Sequence, residues 1–434
     1  MAAAVAHRAL KQDEANRNLL QEVLDSDNLS RAWKRVKSNK GKPGIDGVTV
    51  EDWPAYARLY WQDERAKIEQ GRYKPQAVKR VEIPKRGGGK RPLGIPTVTD
   101  RVIQQAIAQV LTPIFDPGFS DWSYGFRPGR NAHQAIRQVQ AKVKEGWRWA
   151  VDIDLAKFFD TVNHDLLMHL LGRAIADKAL LKLIGRYLRA GVLVGEHLEP
   201  SEVGAPQGGP LSPLLANIVL HQLDLELERR GHHFARYADD MIILVKSRRA
   251  GERVMASLTR FLEGRLKLKM NTAKSKVAPV SECDFLSFRM KGTKVRWSDH
   301  ALADFKRRIK ELTGRSWGVS MRHRLDKLGQ YVRGWVGYFG ISQYYRPVPG
   351  IDEWIRRRVR MCYWKRWRKP RTRIRNLMRL GVKKDDAIAH GLSSRNYFRM
   401  SRSPVVQQAL SNAWLKAQGL VSVKELWCKA QGFT

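Results

Sequence analysis

Acidic side chains are scarce in this chain. Forty-two Asp and Glu stand against eighty Lys and Arg among 434 residues, a formal net charge of +38. Such a surface repels itself unless a polyanion covers it, so the imbalance points to nucleic acid, held largely through phosphates and sensitive to salt. Cysteine is nearly absent. Cys283, Cys362 and Cys428 lie far apart and form no C-x-x-C pair, which excludes zinc-knuckle and dithiol chemistry and leaves three small buried or half-buried thiols. Long apolar runs are missing as well: no stretch of about 18 apolar residues occurs, and no apolar segment precedes Asp13 and Glu14. The expectation is no membrane partner and no secretory signal, a cytoplasmic chain kept near the nucleoid by its own affinity for RNA and DNA. Repeats and low-complexity tracts are absent. The length allows two to four domains, and an apolar fraction of 43% is enough for real cores.

The carboxylates that are there are unevenly placed. Arg236-Tyr237-Ala238-Asp239-Asp240 followed by Met241-Ile242-Ile243-Leu244-Val245 sets two adjacent acids between apolar runs. Neighbours on a strand point to opposite faces, so such a pair acts together only at a tight turn, with Asp239 facing a metal and Asp240 beside it. Alone, a solvated Asp-Asp turn would read the same way. A second acidic strand over residues 149–160 offers Asp154 as a third carboxylate. Three carboxylates can hold two Mg2+ ions roughly 4 Å apart, an arrangement that activates a 3′-hydroxyl and neutralises leaving pyrophosphate. Between the two strands lies Gly204-Ala205-Pro206-Gln207-Gly208-Gly209-Pro210, a Gly/Pro turn whose glycines let backbone approach a ligand closely.

Taken in order, Asp154 with Phe159 five residues on, Pro206-Gln207-Gly208, and Tyr237-Ala238-Asp239-Asp240 resemble the successive palm motifs of reverse transcriptases. Blocks at 32–48, 83–96 and 123–130, together with Asn271-Thr272-Ala273-Lys274-Ser275-Lys276 and Phe285-Leu286-Ser287-Phe288, are similar to those of bacterial group II intron reverse transcriptases. So are Tyr331-Val332-Arg333-Gly334-Trp335 in that family's thumb, also called the maturase domain, and the segments 397–404 and 409–415 near the end. Family members with a homing endonuclease add a nuclease module with Cys pairs. None is present here, so no cleavage of the second DNA strand is expected.

The pattern of elements agrees with an α+β right-hand polymerase, fingers and palm followed by a helical thumb and a small helical DNA-binding region. Helical spacing covers residues 3–35, 51–70, 100–115 and 131–144, the last with Asn131 as N-cap, and a strand covers 78–83. Strands and helices alternate over 149–290, and from 299 onward only helical spacing remains. The expected divisions are 1–75 for an N-terminal extension, 76–292 for fingers and palm, 293–370 for thumb and 371–434 for a C-terminal DNA-binding domain.

The loop 85–91 reads as a hairpin tip, with Lys85 and Arg91 supplying charge for a triphosphate; the resemblance favours Arg91, whose planar fork suits phosphate oxygens. By resemblance, Phe159 lies under the sugar and would reject a 2′-hydroxyl, although a core aromatic beside Phe158 is the plain alternative. Gln207 can donate to sugar or triphosphate. Lys274 is the candidate proton donor to pyrophosphate, with Lys276 exchangeable for it. Asp152 and Asp160 flank the first acid, but the motif spacing fits Asp154. Phe285 to Phe288 supports the primer or is a plain apolar strand. Residues 356–375 carry eleven basic side chains, no acid, and Trp364 and Trp367, which marks Arg356, Arg357, Arg358, Arg360, Lys365, Arg366 and Arg368 for nucleic-acid contact.

The implied activity is RNA-directed DNA synthesis from deoxynucleoside triphosphates, with intron RNA, target DNA and primer-template as partners, and with splicing and retrohoming assisted. A domesticated relative serving repair, phage defence or spacer acquisition is the rival, decided by whether ribozyme sequences flank the gene. A viral RNA polymerase would carry Gly before its Asp pair, and an RNA chaperone with a dead polymerase core would lack a ligand.

Overall fold

A computed structural model describes residues 18–84, 89–194, 197–199, 203–204 and 208–433. They fall into two compact units that divide between Pro279 and Val280.

The first unit opens with helices Leu19–Val23, Ser26–Ser38 and Trp53–Glu69. The second of these is started by Asp25, whose carboxylate accepts from the amides of Asp27 and Asn28. Trp53 packs against Trp33 and donates to Thr99, which makes it a packing residue. Strands β1 (Val78–Pro84) and β2 (Lys90–Ile95) form an antiparallel hairpin, and β1 pairs in parallel with β4 (Val192–Val194), itself paired to β5 (His197–Glu199). Helix Val98–Phe115 starts two residues before its expected position, because Thr97 takes the cap and accepts from the Asp100 amide. Helix Ala132–Lys144 begins with the predicted Asn131 cap, completed into a capping box by Gln134.

The second sheet of this unit has the order β6 (His233–Tyr237), β7 (Asp240–Val245), β3 (Trp149–Ile153), β8 (Lys276–Pro279), antiparallel throughout. Met241 to Val245 are all buried, as a central strand covered on both faces requires. Helices Ser212–Arg229 and Arg248–Phe261 belong to the same core.

Near the start of the second unit, after the short 3-10 helix Val280–Glu282, comes a turn where the alternative of a plain strand fails. Phe285 bridges Phe288, and between them Leu286 and Ser287 both adopt left-handed backbone with φ of 51° and 65°, the signature of a two-residue reversal. The β9–β10 hairpin (Phe288–Lys291, Lys294–Trp297) follows, and then only helices. Phe305, Trp335, Ile355, Val359 and Trp364 anchor a separate core. Cys283 and Cys362 are buried and Cys428 is half-buried, as inert thiols should be. Among the described residues no helix is long and apolar enough to cross a membrane.

Candidate active site

Directly opposed residues of an antiparallel pair share a face of the sheet. The register sets Asp152 against Ile242 and Ile153 against Met241, so the next step along each strand brings Asp154 beside Asp240. Which face they occupy follows from a glycine: a Cβ on Gly251 would meet Val277, Val245 and Val151 at 2.5, 3.4 and 3.5 Å. That is the face the Arg248–Phe261 helix covers. Alternation then puts Asp152, Asp154 and Asp240 on the other one.

The acidic turn is built tightly. Tyr237 pairs with Asp240 across a two-residue reversal whose first central residue, Ala238, has φ of 57°. Three neighbours hold it. Residues Trp122 to Gly125 run along the outer side of β6, exchanging backbone bonds with Arg236 at 2.9 and 2.8 Å, and Gly125 comes so close that a Cβ there would lie 2.2 Å from the Ala238 amide. Asn217 donates to the Gly125 carbonyl at 2.9 Å. Arg236 points its guanidinium into the Ser212–Arg229 helix, pairing with Asp224 through two bonds of 2.7 and 2.6 Å, and its Nη1 also reaches Asn217 and the Ala238 carbonyl. Sequence reading missed this role of Arg236, although a charged residue among the apolar positions of β6 was its signal.

Asp154 is gripped from the loop before β8. Asn271 Nδ2 donates to its Oδ1 at 3.0 Å, Lys274 Nζ to its Oδ2 at 3.4 Å, and the Asn271 amide to its carbonyl at 2.8 Å. Its own amide donates to the Ser275 hydroxyl at 3.0 Å. Lys276 sits in β8 opposite Asp152, so Lys274 is the lysine that touches Asp154.

Asp240 reaches solvent but is crowded by protein. This desolvation, with repulsion from Asp239, Asp154 and Asp152, pushes its carboxyl up to about 6, and Arg91 on β2 pulls the other way. One electrostatic neighbourhood therefore contains four carboxylates and the expected arginine of the fingers. Among the described residues no three His, Cys, Asp or Glu side chains form a cage for an ion. Open carboxylates under mutual repulsion still fit Mg2+, a hard cation that keeps several waters and commonly takes one or two protein carboxylates plus substrate phosphates.

Gly208 has φ of 115°, and a Cβ on it would lie 2.3 Å from the Gly94 carbonyl, so Gly208 itself lies against β2. Gln207 and Lys85, both expected to touch nucleotide, lie outside the described residues. Phe159 is buried, edge-on to Phe158 at 5.2 Å between centroids.

The basic run is sorted by the fold rather than displayed as one surface. Arg360 is 6% exposed and ties helix Val348–Arg366 to the Leu410 carbonyl and Asn412. Arg358 donates to Thr313 and lies over Trp354, and Arg357 stacks on Phe398 at 3.7 Å. Arg356 pairs with Asp352 at 2.8 Å. Trp364 and Trp367 are core residues and offer no face for base stacking. The expectation that Arg356, Arg357, Arg358 and Arg360 all serve nucleic-acid contact is thus corrected in part: a helix packed on several sides turns part of its arginines inward, where backbone carbonyls receive them. Arg366 and Arg368 remain exposed and Lys365 half-exposed.

Residues 83–290 match the reverse transcriptase (RNA-dependent DNA polymerase) family, and residues 302–381 match the maturase-specific domain of group II introns. Protein YkfC of Escherichia coli is 35% identical, the alignment covering 61% of this chain and 80% of that protein. The group II intron-encoded protein LtrA of Lactococcus lactis is 38% identical over 49% of this chain and 35% of its own length. The chain therefore spans most of the first relative and about a third of the second. A solved partial Cas6-RT-Cas1–Cas2 complex contains a chain 26% identical, with a TM-score of 0.38 over 57% of this chain and 42% of that one.

Proposed function

The chain belongs to the family of group II intron-encoded reverse transcriptases with a maturase domain, an RNA-directed DNA polymerase, and on that premise we propose that Asp154, Asp239 and Asp240 carry its chemistry. The observation that supports this most is the register that sets Asp154 beside Asp240 at the mouth of the Ala238–Asp239 turn. In the reaction the primer 3′-oxygen bonds to the α-phosphorus of a deoxynucleoside triphosphate while the bond to the bridging oxygen breaks and pyrophosphate leaves. Bound Mg2+ supplies Lewis acidity for the 3′-hydroxyl and charge for the leaving group. The three acids hold it. Arg91, and Lys85 with it, grips the triphosphate through its oxygens. Lys274 gives a proton to pyrophosphate, and its contact with Asp154 keeps it at the reacting end of the nucleotide. Phe159 lies under the sugar, and Gln207 donates to sugar or phosphate.

The same reading gives the helical unit the tasks of binding intron RNA and target DNA, with residues 293–370 as thumb and 371–434 as DNA-binding region. Arg366, Arg368 and Lys365 are cations that the basic run leaves exposed or half-exposed. The polypeptide assists splicing by stabilising folded RNA, and retrohoming by copying that RNA from a target primer. Purified Asp239→Asn should lose primer extension and keep splicing assistance at low magnesium. Extension near the wild-type rate would sink the site. Loss of splicing assistance with RNA binding intact would show the two functions to be inseparable.

A further inference from the structure

Beside the helix Val348–Arg366 runs a cleft of about 500 Å³ that the polymerase chemistry does not use. Its walls carry Arg356, Arg357, Arg360 and Arg402, with Gln407 and Asn412 as neutral polar partners. The opposing charge is smaller: Glu353 lines the cleft, and Asp352 engages Arg356 from behind. We propose that this cleft is a binding site for one phosphate group of a nucleic-acid strand, with Arg402 and Arg357 on its walls and Arg360 at its floor. The inference rests on the reading that this unit binds nucleic acid, and names the pocket that does part of it.

The site is built rather than incidental. Arg360 is held at both Nε and Nη2 by Leu410 and Asn412, which immobilises the guanidinium and leaves Nη1 with no acceptor among the described residues. Burial and repulsion from Arg356 depress its pKa, the response of a cation crowded by another. Arg357 lies over the Phe398 ring and donates to the Phe398 carbonyl, and its buried Nε has no hydrogen-bond acceptor among the described residues. The guanidinium of Arg402 makes no hydrogen bond or ion pair among the described residues, while its carbonyl accepts from Gln407 and so fixes the rim. Like charges facing one cavity repel until an anion enters. A tetrahedral phosphate with several acceptor oxygens fits planar forks converging from different sides.

The test measures binding of a single-stranded RNA hexamer to the full chain in EDTA, with inorganic phosphate as competitor at constant ionic strength. Arg402→Gln should weaken binding about tenfold, as expected for loss of one charge-assisted contact, and should blunt competition by phosphate. Arg379→Gln removes the same charge from an exposed helix position outside the cleft and should change affinity less than about twofold, as a diffuse screened charge does. Hexamers with and without a 5′-phosphate separate a strand end from an internal phosphodiester. Equal losses in both variants would make the effect one of general charge and overturn the pocket. An unchanged affinity in Arg402→Gln would do the same, and failure of the wild type to bind at all would remove the underlying reading. Primer extension on a saturating, preannealed substrate should stay at the wild-type rate in both variants, which separates the pocket from the carboxylate site.

Discussion

Arg236 and Asp224 form a bidentate ion pair with no solvent exposure on either side, and the same guanidinium reaches the carbonyl of Ala238 at 3.0 Å. The acidic turn is thereby fastened to a helix rather than left as a hairpin tip. A buried charge left without its partner is costly, so Asp224→Ala should destabilise the first unit by about 3–5 kcal/mol. Joint replacement by Arg236→Met and Asp224→Leu removes both charges and should recover most of that loss in urea unfolding. Primer extension should not recover with it, because the Ala238 carbonyl has still lost its donor. A double variant both stable and fully active would reduce the pair to packing.

Asn271 bears on Asp154 as Arg236 bears on the turn. Its amide group fixes one carboxylate oxygen while its backbone fixes the carbonyl of the same residue. Partners of a metal-binding carboxylate typically contribute 10–100-fold to metal affinity or activity. For Asn271→Ala, the magnesium concentration giving half-maximal extension should rise by about that range, with the maximal rate approached at high magnesium. A normal magnesium curve would assign Asn271 to loop structure alone.

Asp240 gives a pH dependence whose sign is fixed. Its carboxyl titrates at about 6 in the folded chain, raised from 3.8 by desolvation and by its acidic neighbours. Between those values the folded state binds more protons than the unfolded one. The group's favourable contribution is therefore present below about pH 4 and lost as pH rises through 6. Asp240→Asn should raise Tm at pH 8 in EDTA, and the gain should shrink as pH falls toward 4. Equal gains at both pH values would mean that the carboxylate repulsion is absent.

The sequence was most informative where chemistry restricts residue choice. Asp239 and Asp240 stood out as adjacent acids between apolar runs, Asp154 through its spacing in motifs that resemble those of reverse transcriptases, and Asn131 because a cap needs a short acceptor before a helix. Arg236 escaped notice because one charged residue in a strand does not say whether it faces water or a partner 12 positions away. The basic run misled for a related reason. Composition counts guanidiniums, whereas the carbonyls of Leu410, Phe398 and Lys310 that receive three of them come from distant loops and helix ends. For Phe285 to Phe288 a plain strand stood as the alternative to primer support, because non-glycine residues rarely take the left-handed backbone found at Leu286 and Ser287.

Phe126 also takes this left-handed backbone, with φ of 59° and 53% of its surface exposed. Its neighbours leave it little freedom: Gly125 is wedged against Ala238, and Arg127 is bound by Asp116 and the carbonyls of Ser120 and Ser123. An exposed ring buries little, so packing does not offset the cost of a left-handed backbone, about 1 kcal/mol for a residue with a Cβ. Phe126→Gly should therefore stabilise the first unit by up to about that amount, seen as a modest rise in Tm. The ring also stands 6.5 Å from that of Tyr237, beside the acidic turn. Strain kept next to such a site is commonly kept for function, and the same variant should extend primers more slowly than wild type even as it melts later. A variant that melts earlier would show the ring to be a packing residue, and one that melts later at undiminished activity would leave the strain without a use.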